Sequence, residues 1–162
     1  MKQTILIFII ALFPILASAD GSGTCGNNLT WSYVNATKTL TISGTGEMGS
    51  FYYESNGGGT YVCAGAPWYS YVNNIEKVII QSGVTSISSY AFSGCSMTSL
   101  TISNTVKSIG EYAFSDCNSL STINIPDVAI NIGDCAFVKT ALYKNQPDGL
   151  VYLGKIVYKY KG

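Results

Sequence analysis

The side chains able to do chemistry in this chain are carboxylates, cysteines, hydroxyls and lysines. All nine basic residues are lysines, and the 162 residues include neither arginine nor histidine. Without histidine the usual general base and the commonest metal ligand are gone, and without arginine so is the bidentate phosphate clamp. Ser/His/Asp and Cys/His nucleophile arrangements cannot be assembled, nor can a His-based zinc site. No catalytic residue, metal or cofactor is therefore assigned. Hydrolysis by carboxylates alone, as in a glycosidase, would need two acids about 5 to 9.5 Å apart across a cleft. Glu111, Asp116, Asp127 and Asp134 fall in turn-forming stretches at different repeat positions, which argues against such a pair. Gly57-Gly58-Gly59 has no GK[ST] after it and no βαβ context, so it is a flexible connector within a mobile loop, Gly44 to Ala66.

The five cysteines, Cys25, Cys63, Cys95, Cys117 and Cys135, form no CxxC pair, and an odd number cannot all pair within one chain. Cys25 and Cys63 can form a disulfide or remain thiols, since spacing alone does not supply the geometry a disulfide needs. Cys95 and Cys117 read as small buried thiols acting as core. Cys135 reads as filler in a more exposed place.

The amino terminus carries an export signal. Lys2 precedes an apolar run from Ile5 to Leu16, and Ala17-Ser18-Ala19 supplies the small residues for cleavage before Asp20. Twelve residues would span only about 18 Å of a hydrocarbon core roughly 30 Å thick, too little for an anchor. The expected product is secreted, extracellular or surface-associated, with no membrane span after cleavage. Without Lys2, eight lysines face nine acids, so nothing draws the chain to nucleic acid.

The elements that must position these groups come from a repeat. IEKVIIQSGVTSISSYAFSGCS starts at Ile75, MTSLTISNTVKSIGEYAFSDCNS at Met97 and LSTINIPDVAINIGDCAFVKTA at Leu120. The Ala-Phe pairs at Phe92, Phe114 and Phe137 recur at spacings of 22 and 23 residues, each with an isoleucine five positions earlier. Each repeat opens with a short alternating apolar stretch (Val78 and Ile80, Leu100 and Ile102, Ile123 and Ile125), the pattern of a half-buried strand. Turns at Ser82-Gly83, Asn104-Thr105 and Pro126-Asp127 follow. One such coil cannot bury its apolar side alone, whereas stacked coils share a core. The three phenylalanines should form an aromatic column, with at most short helical turns on the convex side.

GVTSISSYAFSGC, NTVKSIGEYAFSDC and INIP resemble the BspA-like leucine-rich repeats of bacterial and mucosal-parasite surface proteins. TCGNNLTWSYVNATKTLTISGTGEM with APWYSYVNNIEKVII is similar to the amino-terminal cap of such arrays, and GLVYLGKIVYKYKG to an insert between repeat blocks. The resemblance implies a leucine-rich-repeat solenoid and adhesion to host proteins or other cells, without a fixed binding motif to carry over. Members usually continue further, so a short or truncated member is expected.

The predicted fold is mainly β, a solenoid of about three coils between two β-hairpins. Residues 1–19 are the signal peptide, 20–73 an amino-terminal β cap with the Gly-rich loop, 74–141 the leucine-rich repeats and 142–162 a carboxy-terminal hairpin. In the cap, strands at Leu29–Val34 and Thr39–Ser43 meet through Asn35 to Lys38, with Trp31 and Trp68 as packing anchors. Pattern failure after Thr140 marks the last coil. Lys139, Lys144, Lys155, Lys159 and Lys161 cluster beyond residue 138 and read as protection of strand edges rather than as a steering patch.

Between the buried strand positions lie Lys77, Ile79 and Gln81, Ser99, Thr101 and Ser103, then Thr122, Asn124 and Pro126. They form a hydroxyl-rich strand face and the candidate binding surface, for host or matrix proteins or cell-surface glycans. The competing readings are a fragment dependent on a longer repeat protein and, behind it, a carboxylate-based glycan-active enzyme.

Overall fold

The computed structural model describes residues 19–55, 61–125, 130–153 and 156–161. Residues 1–18 of the expected export signal, the glycine triplet and the turns at Pro126-Asp127 and Gly154-Lys155 lie outside the described residues. In chain order the strands are β1 (Gly21–Thr24), β2 (Leu29–Val34), β3 (Thr39–Gly44), β4 (Gly46–Glu47), β5 (Glu54–Ser55), β6 (Tyr61–Val62), β7 (Lys77–Ile80), β8 (Val84–Ile87), β9 (Ser99–Ile102), β10 (Ser108–Ile109), β11 (Thr122–Asn124), β12 (Asn131–Ile132), β13 (Gly149–Leu153) and β14 (Ile156–Lys161). One short helix, α1 (Ala141–Lys144), follows the last coil.

The alternating stretches become two parallel stacks. The first sheet runs β1-β2-β3-β7-β9-β11 and the second β12-β10-β8-β4. Leu40, Val78, Leu100 and Ile123 pair in register, as do Ile42, Ile80 and Ile102. These residues are buried apart from Ile123, which packs partly exposed against the core. The expected solenoid is therefore present, and the cap hairpin merges with it. β3 pairs antiparallel with β2 and parallel with β7, while β4 pairs parallel with β8. The hairpin's second strand is thus also a rung of the stack. TLTISGTGE is a degenerate coil whose Ala-Phe turn has been replaced by the long segment leading to Trp68.

Aromatic stacking ties the coils together. Trp68 stacks on Phe92 at 5.0 Å between ring centroids, Phe92 on Phe114 at 5.3 Å, and Phe114 on Phe137 at 5.1 Å, with interplanar angles of 11°, 2° and 14°. These distances exceed the roughly 4.7–4.9 Å strand spacing only slightly, as parallel rings on successive coils require. Tyr158 of β14 meets Phe137 edge-on at 5.7 Å and 88°, and its hydroxyl accepts a bond from the Phe137 N–H. At the opposite end Trp31 packs edge-on to Trp68, whose indole N–H donates to the Ala91 carbonyl at 3.0 Å.

The Ala-Phe turns are bonded from coil to coil through the backbone. Phe92 N–H donates to the Ala113 carbonyl and Phe114 N–H to that of Ala136, both at 2.8 Å. Tyr90, Tyr112 and Cys135 all have positive φ, 59°, 54° and 56°. The following turn repeats the device at Gly94, Asp116 and Lys139, of which glycine alone meets no Cβ penalty.

Carboxy-terminal to the coils, Thr140 caps α1 by accepting from the Tyr143 N–H at 3.1 Å. Leu142 N–H donates to the Leu120 carbonyl at 2.8 Å, so the chain turns under the last coil where the apolar pattern ends. The lysine cluster is largely committed to holding this end. Lys139 pairs with the buried Asp116 at 3.0 Å, Lys144 donates to Asn118 at 2.7 Å, and Lys161 donates to the carbonyls of Lys144 and Gln146.

Candidate binding surfaces on two sheets

Parallel register assembles the sequence-predicted surface residues. Thr39, Lys77, Ser99 and Thr122 form one row across β3, β7, β9 and β11, and Thr41, Ile79, Thr101 and Asn124 a second. Gln81 and Ser103 follow at the strand ends, and Ser103 bonds Thr105 across its own turn at 3.2 Å. Lys77, Gln81, Thr101, Thr122 and Asn124 are exposed, while Ile79, Ser99 and Ser103 are half-buried. Pro126 lies outside the described residues. The face extends beyond the repeats onto the hairpin, where the Thr30 and Ser43 hydroxyls bond across strands at 3.1 Å. Hydroxyls are amphiprotic, so this face can donate to or accept from a partner with little dependence on pH.

A different feature lies on the second sheet. Beside β4, β8, β10 and β12 is a cavity of about 490 Å³ lined in part by Glu47, Ser86, Ser108, Glu111, Asn131 and Phe51. Register again supplies the order: Glu47, Ser86, Ser108 and Asn131 stand on successive coils in one row. The loop from Met48 to Tyr53 makes one wall. It is held by the Ser88 hydroxyl, which donates to the Met48 and Gly49 carbonyls, by Phe51 edge-on to Trp68 at 5.4 Å, and by Tyr53 stacked on Tyr90 at 4.1 Å. At the floor, a Cβ on Gly110 would come within 2.3 Å of the Ser89 nitrogen and one on Gly133 within 2.6 Å of the Glu111 nitrogen, so only glycine lets the coils close there.

Sequence reasoning missed this cavity. The signal was available, because Ser86, Ser108 and Asn131 each directly precede the repeat isoleucine, but Glu47 belongs to the degenerate coil and was read as cap. Of the carboxylates weighed for hydrolysis, Glu111 lines the cavity, Asp116 is consumed by Lys139 and Ser115, and Asp127 lies outside the described residues. Of the two states left open for Cys25 and Cys63, both are free buried thiols here, and Cys63 meets the Cys95 thiol through a hydrogen bond. The reason is that Cys63 N–H bonds the Ser93 carbonyl, which seats Cys63 over the repeat-position thiols. Burial pushes the Cys25 thiol up to about 11 and that of Cys117 higher still, so neither of these two is poised as a nucleophile. No group of three or more His, Cys, Asp or Glu residues suited to a metal occurs among the described residues. Nor is any described helix long and apolar enough to cross a membrane.

Comparison with known proteins agrees with this architecture. No curated protein matches the chain. A crystal structure of a leucine-rich repeat protein from Eubacterium ventriosum is 32% identical with a TM-score of 0.62, over 74% of this chain and 30% of that one. This chain therefore spans less than a third of that protein's length. A leucine rich cell surface protein from Faecalibacterium prausnitzii is 24% identical with a TM-score of 0.41, over 82% of this chain and 36% of that one. The model of the BspA type leucine rich repeat region matches residues 65–160 in six copies. With more than half its length so matched, and with coils stacked in the register that the repeats demand, the chain belongs to the BspA-type leucine-rich repeat family.

Proposed function

We propose that this chain is a secreted or cell-surface interaction module that adheres to a host or matrix protein through the outer face of its first sheet. The observation that carries the proposal is the pair of in-register rows from Thr39 to Thr122 and from Thr41 to Asn124. They present a largely polar surface, interrupted by the half-buried Ile79, and the one charge in these rows is Lys77. Parallel stacks give such faces a fixed spacing, and a partner gains affinity from many modest contacts rather than one anchor. The absent histidine and arginine favour binding over catalysis.

The test is a screen of the chain against immobilised matrix and serum proteins, followed by Thr101→Lys and Thr122→Lys. Both residues are exposed, so the fold should survive the changes. Binding that falls at least tenfold supports the face. A partner that binds both variants as well as the parent moves the site elsewhere.

A second reading rests on length. Because the chain spans 30% of the Eubacterium ventriosum protein, it is open to the interpretation of a unit that acts only within a longer array. Thermal unfolding separates the two: one cooperative transition supports a self-sufficient module, and a broad, non-cooperative melt favours the dependent unit.

A further inference from the structure

We propose that the cavity on the second sheet is a binding site for an extended neutral oligosaccharide, separate from the protein-binding face. Its volume, about 490 Å³, falls in the range of small-ligand sites. Its lining is rich in hydroxyls and acids: Ser86, Ser108, Asn131, Glu47 and Glu111, with Ser50 and Ser89 at the sides. No lysine lines it. Sulfated or phosphorylated ligands would find no counter-charge, whereas sugar hydroxyls can donate to both carboxylates and exchange bonds in either direction with serine and asparagine. Phe51 adds an apolar wall against which a sugar ring can lie.

Spacing favours a chain over a single ring. Glu47, Ser86, Ser108 and Asn131 repeat once per coil, about 4.7–4.9 Å apart along the stack, close to the advance of one sugar unit in an extended glycan. Each unit would thus meet an equivalent polar group. The wall is already pinned to the body through Ser88, Phe51 and Tyr53, so little ordering is needed on binding. Binding is favoured over hydrolysis by the same register. Glu47 and Glu111 belong to coils two rungs apart, about 9.5 Å along the axis before any sideways offset, at the outer limit for a pair of catalytic carboxylates.

The experiment is calorimetric titration of the full chain with maltohexaose, cellohexaose and chitohexaose, beside a heparin fragment, Ca²⁺ alone and an oligolysine peptide. At least one neutral hexasaccharide should bind. Asn131→Lys and Ser108→Trp should each weaken it at least tenfold with melting temperatures retained, and Thr101→Lys on the other sheet should leave it unchanged. Asn131 is exposed, so its variant tests the site even if Ser108→Trp fails to fold. The proposal is overturned if no neutral hexasaccharide binds, if Asn131→Lys binds as tightly as the parent, or if heparin, Ca²⁺ or oligolysine binds in place of the sugars. Failure of the protein-binding face would appear separately, in the Thr101→Lys and Thr122→Lys variants.

Discussion

Two aromatic columns run side by side along the stack, separated by Ala91 and Ala113 in the two coils that carry both rings. The inner one, Trp68-Phe92-Phe114-Phe137, is fully buried; the outer one, Tyr53-Tyr90-Tyr112, is half-buried to exposed. Both stack, the outer at 4.1 and 5.1 Å. They differ in what dictates them. The inner rings fill volume that nothing else can fill. Tyr90 and Tyr112 ride on a backbone held at positive φ, and Cys135 keeps that φ in the coil where the ring is missing. The turn is therefore imposed by bonds between coils, such as Tyr90 N–H to the Glu111 carbonyl and Tyr112 N–H to that of Asp134, both at 3.0 Å. Ring stacking on the outside follows from the turn and does not create it.

The sharpest way to break this distinction is Phe114→Ala, which removes a fully buried ring between two others. It should cost about 3–5 kcal/mol, measured by urea unfolding, and a loss below 1 kcal/mol would mean that the column is not what joins the coils. Tyr112→Gly should stay within about 1 kcal/mol of the parent, because relief of the left-handed backbone offsets the lost stacking. A loss as large as that of Phe114→Ala would make the two columns equivalent. Tyr158→Phe keeps the edge-on ring but strands the Phe137 N–H, so a cost of roughly 1 kcal/mol is expected at the column's closed end. Thr140→Ala, which removes the cap of α1, should cost about as much.

The last effect is invisible at neutral pH. Thiols at Cys25, Cys95 and Cys117 titrate higher when folded than when unfolded, chiefly by burial at Cys25 and Cys117 and through the Cys63 hydrogen bond at Cys95. The folded state holds protons that the unfolded state gives up above about pH 9, so their contribution is complete below pH 9 and declines as pH rises. For Cys25 that decline runs from 9 to about 11, and Cys25→Ala should flatten the fall in melting temperature over this window.

The inner column was legible in the sequence because a phenylalanine recurring at 22 and 23 residues admits one packing solution. The strand face was legible for the same reason, since alternation fixes which side of each strand is wet. What escaped was carried by residues outside the repeat. Trp68 continues the phenylalanine column although no Ala-Phe pair announces it, and TLTISGTGE joins the stack although a long insertion separates it from the regular coils. The cavity needs both Glu47 from that irregular coil and the Met48–Tyr53 loop, so no period could reveal it. The Cys63–Cys95 contact escaped likewise, because it depends on where the insertion returns to the body.

The bonds joining Tyr90, Phe92 and Gly94 to the next coil, and Tyr112, Phe114 and Asp116 to the one after, point along the stack rather than across it. Tension applied along that axis therefore loads them in the direction in which they break, a few at a time, and the stack would peel coil by coil. Tension across the axis would have to shear whole rows together. A solenoid built this way yields gradually under pulls along its length and resists those from the side.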